Sequence, residues 1–265
     1  MNRITGATMR WASHLLGAPL LLLIPFRLCL GATIQLSAAA DNTIYDDPSA
    51  SLSNGAGQFL NVGVTADGLV RRGLVRFDVA ASIPPQSIIT EAVLTLHLSQ
   101  SQSGAEPVAI HRLLSAWGEG TSDALGGEGA GTAATADDAT WVHRFFPDQL
   151  WATAGGDLVA MPRDTVVVGA PDFYHWGSNS LLVNDVQAWL EQPGSNFGWV
   201  VVAADEISNA SGKRFDSRES PVLSNRPQLT VEYRTIPEPP SAGLAIGVVL
   251  MGGLCGKWRY RRYGL

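Results

Sequence analysis

Six tryptophans lie between the two end segments of this 265-residue chain, and they are the side chains best suited to bind a ligand. Sugar rings present apolar C–H faces that stack on aromatic planes, so an exposed tryptophan is a common means of binding a glycan. Trp151 and Trp176 lie in glycine-rich loops, beside Gly155-Gly156 and Gly177-Ser178, and we expect them to be exposed. The other four are interpreted as structural: Trp117, Trp141, Trp189 and Trp199.

Two pairs of acidic residues are candidates for a metal site. Asp46-Asp47 and Asp137-Asp138 flank loops, and oxygen atoms from loops are the ligands that Ca²⁺ takes in proteins. Solvated loop acids are the alternative interpretation of both pairs. We therefore expect that the protein requires no cofactor, and the sequence does not decide between a structural Ca²⁺ site and solvated acids.

Motifs of known catalytic sites are missing from the sequence. The four histidines between the end segments have no metal-binding spacing, and no G-x-S-x-G element occurs. The Gly126–Gly131 run does not join a strand to a helix, as a nucleotide-binding loop must, so we interpret it as a flexible surface loop. We expect a protein that is not an enzyme. A polysaccharide hydrolase or lyase is the alternative, which an exposed cleft with two close carboxylates would favour.

Charged residues also occur within apolar strand segments. Arg76, Asp78, Arg218 and Glu219 stand beside apolar residues, where long charged side chains are tolerated chiefly when they are paired. We predict a partly buried ion-pair network that fixes the strand order, in preference to direct contact with a ligand.

Period-two patterning assigns the middle of the chain to the all-β class. Along Thr90 to Leu98, alanine and leucine alternate with glutamate, threonine and histidine, which indicates a strand with one buried face. Leu229 to Tyr233 alternates in the same way. Noisier strands are predicted at 33–37, 59–64, 69–79, 108–114, 140–145, 165–168 and 197–203. Apolar residues from Leu182 to Leu190 at helical spacing, ended by Pro193-Gly194, predict one accessory helix. This pattern favours an antiparallel β-sandwich of jelly-roll type.

A series of short motifs in the same order adds a family resemblance. They are Asp41-Asn42-Thr43-Ile44-Tyr45, Arg76-Phe77-Asp78-Val79, Ala116 to Thr121, Asp185 to Trp189, Asn196 to Trp199, Phe215 to Glu219 and Arg226 to Leu229. Their order resembles that of DNRLRE domains, secreted bacterial modules similar to carbohydrate-binding modules, over roughly residues 33–234. The hexapeptide of the family name is absent, and only Ser217-Arg218-Glu219 stands in its place. The resemblance implies a glycan-binding sandwich.

The ends of the chain are unlike the middle. Arg3 and Arg10 precede an apolar run, and Gly31-Ala32 follows it, which is typical of a signal peptide over residues 1–32. A cut after Ala40 is the alternative. Both cysteines lie in the end segments, so the 33–236 domain contains no disulfide. That domain has 11 basic and 23 acidic residues, a net charge of −12, which disfavours nucleic acid as a partner. Strongly anionic polysaccharides are disfavoured too, unless a basic patch or a bridging divalent cation intervenes.

Residues 237–265 form a three-part tail. Pro237, Glu238 and Pro239 come first, an uncharged stretch at 241–256 is predicted to be a transmembrane helix, and the basic end at 257–265 would stay in the cytoplasm. The order resembles the PEP-CTERM sorting signal of exopolysaccharide-producing bacteria. That resemblance implies removal by an exosortase-type protease, after export across the inner membrane and membrane anchoring. An ordinary C-terminal anchor with a proline linker is the alternative.

Together these features predict an exported protein of the cell surface or extracellular matrix. Its expected activity is glycan binding or scaffolding of exopolysaccharide in a biofilm, with polysaccharide as its partner. A purely structural matrix protein without a defined ligand is a further alternative, favoured if the domain has no exposed aromatic surface.

The sorting motif yields the first testable prediction. The two prolines fix an extended backbone just before the apolar stretch, which suits recognition by a membrane-embedded protease. Glu238→Ala should therefore leave an unprocessed, membrane-retained form. Mass spectrometry of the C-terminus checks this, and identical C-termini in wild type and variant would leave only the simple anchor.

Overall fold

The computed structural model describes residues 31–207 and 210–236, and this part of the chain is mostly β. Strands make up 42% and helices 11%, which confirms the all-β class. None of the helices within the described ranges has the length and apolar character needed to cross a membrane. The predicted transmembrane helix at 241–256 and most of the predicted signal peptide lie outside these residues.

Fifteen strands and two helices are present in the described residues. The strands are β1 (Gly31–Ser37), β2 (Ala40–Tyr45), β3 (Leu52–Ser53), β4 (Phe59–Val64), β5 (Val70–Arg76), β6 (Ile88–Ser101), β7 (Glu106–Arg112), β8 (Thr132–Ala133), β9 (His143–Phe145), β10 (Gln149–Leu150), β11 (Asp164–Val168), β12 (Asp172–Gly177), β13 (Trp199–Ala203), β14 (Lys213–Asp216) and β15 (Gln228–Arg234). The helices are α1 (Val79–Ser82) and α2 (Ser180–Glu191). Single 3-10 turns lie at Pro193–Ser195 and Leu223–Asn225.

Eleven of the strands form one curled antiparallel sheet. Neighbours follow the order β1, β15, β6, β14, β4, β5, β13, β7 and β11, with β12 paired to β6 and β2 paired to β5. β4 pairs with both β14 and β5, so it links the two halves of the sheet. The halves face each other across the core. The remaining pairs, β9–β10 and β3–β8, are short two-stranded sheets.

The main core is built from the inward side chains of both halves and from α2. Trp189 of α2 packs on Trp199 of β13, with ring centroids 4.5 Å apart, and both side chains are fully buried. Leu94, Leu96 and Leu98 of β6 belong to the same cluster. The inward positions of β6 are those that the alternating pattern assigned to the buried face.

A second apolar cluster covers the other face of β2, β5 and β13. It contains Leu74, Val200 and Trp117, with residues from the segment that follows β7. Because apolar residues contact both faces of β13, all five of its side chains are buried. All six residues of β2 are buried as well. Burial on two sides removes the alternation from the sequence, which is why β2 was not predicted.

Helix α2 begins where the sequence predicts a helix. The Asn179 side chain accepts hydrogen bonds from the amides of Leu181 and Leu182, at 2.9 and 3.2 Å, and so caps the helix. The helix ends at Glu191, just before Pro193. Asp185, on its buried face, accepts hydrogen bonds from Arg112, Arg163 and the Trp199 indole. These bonds fix the helix against the sheet.

Most of the predicted elements are confirmed. The strands at 33–37, 59–64, 108–114, 165–168 and 197–203 are each found within about two residues. The 69–79 segment is a strand only at Val70–Arg76, and the 140–145 segment only at His143–Phe145. Val79 instead begins the four-residue helix α1, which was not predicted. The all-β antiparallel arrangement is confirmed, whereas its jelly-roll connectivity stays a prediction.

The β1 pairing bears on the two predicted cut sites. Residues Gly31 to Ser37 pair with Arg234 to Gln228 along their whole length. A cut after Ala40 would remove this strand and leave β15 unpaired on one side. A cut near Ala32 keeps the pairs from Thr33 onward.

Trp189→Ala should destabilise the fold strongly. Loss of a fully buried tryptophan removes its contacts and leaves a cavity, at a cost of about 3–5 kcal/mol. Urea denaturation measures the free energy of unfolding. Leu125→Ala is the control, since Leu125 is 95% exposed and its loss should change stability by less than about 0.5 kcal/mol. Equal midpoints for both variants would contradict the described core.

Candidate functional site

A cleft of about 530 Å³ opens beside strands β4 and β14, and we call it the Arg214 cleft. Its floor contains Asn61 of β4 and Arg214 of β14, which are opposite each other in the antiparallel register. Gln100 of β6 pairs with Arg214 on the other side and also lines the cleft. The Gly127–Ala130 segment and the turn from Thr65 to Leu69 form its walls.

Arg214 presents its guanidinium group to this cleft. Its Cζ lies 4.0 Å from the centroid of the Phe59 ring, and its Nε donates to Ser99 Oγ at 3.2 Å. These contacts hold the planar group in one orientation. Within the part of the chain that the structure describes, the terminal Nη atoms have no hydrogen-bond partner. Arg214 therefore offers a fixed pair of charged donors to a ligand.

Asn61 is a largely buried polar residue of the cleft lining. The residue is 9% exposed, and its Nδ2 atom has no hydrogen-bond partner among the described residues. A buried polar group without a partner costs free energy, unless a ligand or water supplies the missing bond. Asn61 lines the Arg214 cleft, but its Nδ2 atom is buried and lies toward the Tyr45 hydroxyl, so it is not a donor for a ligand in the cleft.

A buried carboxylate holds the loop that walls the cleft. Glu128 Oε2 accepts hydrogen bonds from Asn54 Nδ2 and the Phe59 amide, at 2.7 and 2.9 Å. Its Oε1 accepts from the Gln58 amide at 3.0 Å, and its carbonyl oxygen accepts from the Tyr45 hydroxyl at 2.8 Å. The glycine-rich run is therefore a loop, as predicted, but Glu128 holds it in place, so its predicted flexibility is not confirmed.

The charge of the cleft differs in sign from that of the domain. Arg71, Lys213 and Arg214 line it, opposed by the exposed Asp67 and by Glu128. The Lys213 ammonium group donates to Ser101, Ser103 and Gly104 oxygens, so it has a structural role. Arg71 donates to three backbone carbonyl groups. Of these three cations, Arg214 is thus the one whose terminal nitrogen atoms are left to bind a ligand.

A second polar cluster, the Arg218 cluster, joins three segments of the chain: Asp41, Glu119, Arg218 and Glu219. One carboxylate oxygen from each of the three acids lies within 4.8 Å of the others. The Arg218 guanidinium donates to Glu119 at 2.5 and 3.1 Å and contacts Glu219 at 2.9 Å. The Arg218 amide donates to Asp41 Oδ2 at 2.7 Å. One cation thus neutralises only part of the charge of three acids.

This surplus of acids affects protonation. Burial raises the pKa of Asp41 well above its ordinary value, and the negative charge of Glu219 raises it further. Burial also raises the pKa of Glu219, against the opposing effect of Arg218. A hydrogen bond to Glu119 raises the pKa of Arg218. The cluster therefore favours proton uptake at the two acids while the guanidinium stays charged.

The predicted ion-pair network is confirmed for two of its four residues. Arg218 and Glu219 pair with each other, with Glu119 as an additional partner. Arg76 instead lies over the Trp117 ring, with Cζ 5.8 Å from its centroid. Asp78 caps α1 by accepting a hydrogen bond from the Ala81 amide. Neither of the latter two makes an ion pair with any described residue.

The expected exposure of Trp151 and Trp176 is wrong. Trp151 is 5% exposed and donates its indole N–H to Thr140 O, and Trp176 is fully buried and donates to Val108 O. A Cβ at Gly177 would lie 2.3 Å from Ala92 O, so this glycine permits close strand packing. The neighbouring glycines thus reflect tight packing, and neither tryptophan offers a stacking surface to a glycan.

Two of the four predicted metal residues, Asp47 and Asp138, stabilise local turns. Asp47 Oδ1 accepts hydrogen bonds from the amide and hydroxyl of Ser49, and Asp138 Oδ2 accepts from those of Thr135. Asp46 and Asp137 belong to the same two loops. The three acids that the described residues bring together are those of the Arg218 cluster. Ca²⁺ binding at Asp46-Asp47 or Asp137-Asp138 stays a prediction.

The sorting motif Pro237, Glu238 and Pro239 lies outside the described residues. No protein-family model matches the chain, and no curated protein matches it at a significant level. Both family resemblances therefore stay predictions.

Asp41→Asn tests the surplus charge of the Arg218 cluster. Asp41 has a higher pKa in the folded protein than the ordinary value of 3.8, so its stabilising contribution is fully present below about pH 4 and is lost as the pH rises through the raised pKa. We expect the stability of wild type relative to the variant to fall as the pH rises from about 4 through the raised pKa of Asp41. Thermal unfolding across this range measures it. Asp123→Asn, at an exposed position, is the control, and parallel curves for wild type and Asp41→Asn would contradict the prediction.

Proposed function

We propose that this protein binds a glycan in the Arg214 cleft and acts, without catalysis, at the cell surface or in an exopolysaccharide matrix. The observation that carries the proposal is the Arg214 guanidinium group, held over Phe59 and by Ser99, with its terminal donors free among the described residues. Sugars are rich in hydroxyl and carboxylate oxygen atoms, which accept hydrogen bonds from such groups. The cleft also has the size of a small-ligand site.

The cleft charge indicates which glycans bind best. The net charge of −12 of the domain disfavours an acidic polysaccharide, but Arg214 provides the basic patch that overcomes this at one place. We propose that sugars with a carboxylate group bind more tightly than neutral ones of the same length. Binding should weaken as salt rises, because part of the attraction is between charges.

The remaining features of the proposal come from the sequence. A jelly-roll domain related to DNRLRE modules would be exported by its signal peptide, held in the membrane by residues 241–256, and released by an exosortase-type protease. The curled antiparallel sheet supports the sandwich part of this proposal. Neither nucleic acid nor a required cofactor forms part of it.

The alternative of a polysaccharide hydrolase or lyase gains little from the Arg218 cluster. Its acids are close together, but Asp41 is 1% exposed and Glu119 is paired with Arg218. A catalytic acid or base must reach its substrate within hydrogen-bond distance. The geometry of this cluster thus favours a structural role.

Arg214→Ala tests the proposed site. Loss of the charged donors should weaken binding of an acidic oligosaccharide by roughly 10- to 100-fold, as expected for about 1.5–3 kcal/mol from charged hydrogen bonds. Calorimetric titration with oligogalacturonides, and with cello-oligosaccharides as the neutral comparison, measures the affinity. Arg214→Lys should restore only part of it, because a lysine cannot form the paired hydrogen bonds.

Arg234→Ala is the matched control, since it removes an exposed arginine at the far end of β15. It should bind as the wild type does. If Arg214→Ala and Arg234→Ala bind alike, the Arg214 cleft is not the site. Thermal unfolding of each variant shows whether its fold is intact.

A further inference from the structure

An aromatic pair lies on the same face of the sheet as Arg214. Phe173 of β12 is 41% exposed, and its ring centroid lies 4.7 Å from that of His97 on the neighbouring strand β6. The two residues are directly opposite in the antiparallel register. Leu96, Leu98 and Trp176 point inward from these strands, so Phe173 and His97 point outward.

His97 is oriented by a buried acid. Its Nδ1 atom lies 2.6 Å from Asp216 Oδ2, and Asp216 Oδ1 accepts a hydrogen bond from Ser220. A carboxylate can only accept, so the proton of this contact belongs to Nδ1 of the imidazole. Nε2 then has no partner among the described residues and can bond to a hydroxyl group. The ring is held in place with one polar atom left for a ligand.

A row of residues across the sheet links the aromatic pair to Phe59, the ring under Arg214. Asp216 is opposite Phe59 in the register of β14 and β4, and Phe59 is the ring on which Arg214 lies. The row across the sheet therefore runs from Phe173 through His97 and Asp216 to Phe59. Neighbouring strands are about 4.8 Å apart, so Phe173 lies about 10 Å from β14 across the sheet. One oligosaccharide can span both places.

We propose that Phe173 and His97 form a second subsite, in which a sugar ring of the same glycan chain stacks on Phe173 beyond the Arg214 cleft. This inference rests on the proposed glycan binding. An exposed aromatic ring provides a flat apolar surface for the C–H face of a sugar, and His97 Nε2 supplies a hydrogen bond to a hydroxyl group at its edge. In this proposal the sugar stacks on Phe173, and not on Trp151 or Trp176, which are buried.

The dependence of affinity on chain length tests the subsite. A disaccharide fills the Arg214 cleft alone, whereas a hexasaccharide also reaches Phe173. On the full chain in mild detergent, we expect Phe173→Ala to weaken galacturonate hexamer binding by roughly 10-fold, in line with the loss of an aromatic contact, and to leave dimer binding unchanged. Arg214→Ala should weaken the binding of both. Calorimetric titration with each oligomer gives the four affinities.

Two further variants show whether a loss of binding comes from the missing ring or from a change in the fold. Phe173→Leu keeps an apolar side chain but removes the ring, so it should show the same loss for the hexamer as Phe173→Ala. Phe173→Trp enlarges the stacking surface and should bind the hexamer at least as well as wild type. Near-ultraviolet circular dichroism of every variant should match the wild type.

The outcomes separate the two proposals. If Arg214→Ala weakens both oligomers while Phe173→Ala and Phe173→Leu bind the hexamer normally, the subsite is wrong and the cleft stands. If wild type binds neither oligogalacturonide nor cello-oligosaccharide, the glycan proposal fails and the subsite fails with it. If the Phe173 variants change only self-association, measured by sedimentation, the exposed ring serves a contact between copies, and the subsite is overturned.

Discussion

Successive side chains of a β-strand point to opposite faces, so the residues that face the core determine which residues face outward. The side chains of the proposed site depend on this constraint. Leu94, Leu96 and Leu98 of β6 must all point into the core, because the core is closed by Trp189 and Trp199. The residues between them are then forced outward. His97 is one of these, and a shift of the strand by a single residue would bury it and expose the leucines. The register of the core thus fixes the register of the outer face.

The sequence predicts those strands that face water on one side. The β6 and β15 segments alternate clearly and were found where they were predicted, whereas β2 was missed because it is buried on both faces. Strand β12 was also missed, although Phe173 and His175 alternate with Tyr174 and Trp176 in it. Reading Trp176 as part of a glycine-rich loop hid this alternation. Whether a given side chain in such a segment is exposed depends on the strands that pack against it. The local sequence pattern does not identify those strands.

The site could be predicted only in part for a similar reason. Phe59 and Asn61 lie in a predicted strand and could have been assigned to its outer face. Their contact with Arg214 depends on the pairing of β4 with β14, and these strands are about 150 residues apart in the chain. The Arg218 cluster likewise joins residues from distant motifs. Local patterns predict the residues on each face of a strand, but the neighbours of that strand come from the tertiary fold.

The domain has two ways of burying acids. Asp185 is 2% exposed and is matched by two arginines and an indole N–H, so its charge is fully compensated between α2 and the sheet. Asp41 shares a single arginine with two other acids. Removing one partner from a compensated buried pair is costly. Breaking the first network would therefore leave a buried charge without a partner, whereas the surplus of acids in the second lowers the stability of the fold at neutral pH.

The position of β15 between β1 and β6 has a mechanical consequence. It is the last strand described, and seven residue pairs join it to each neighbour. Arg234, at its end, lies opposite Ile88, whereas His97 is nine residues further along β6, about 30 Å away. A pull between a bound polymer and the chain beyond Ile236 would thus run along the strands, perpendicular to their hydrogen bonds. Under such shear the bonds on both sides of β15 share the load, and they must break together before the strand can slide out.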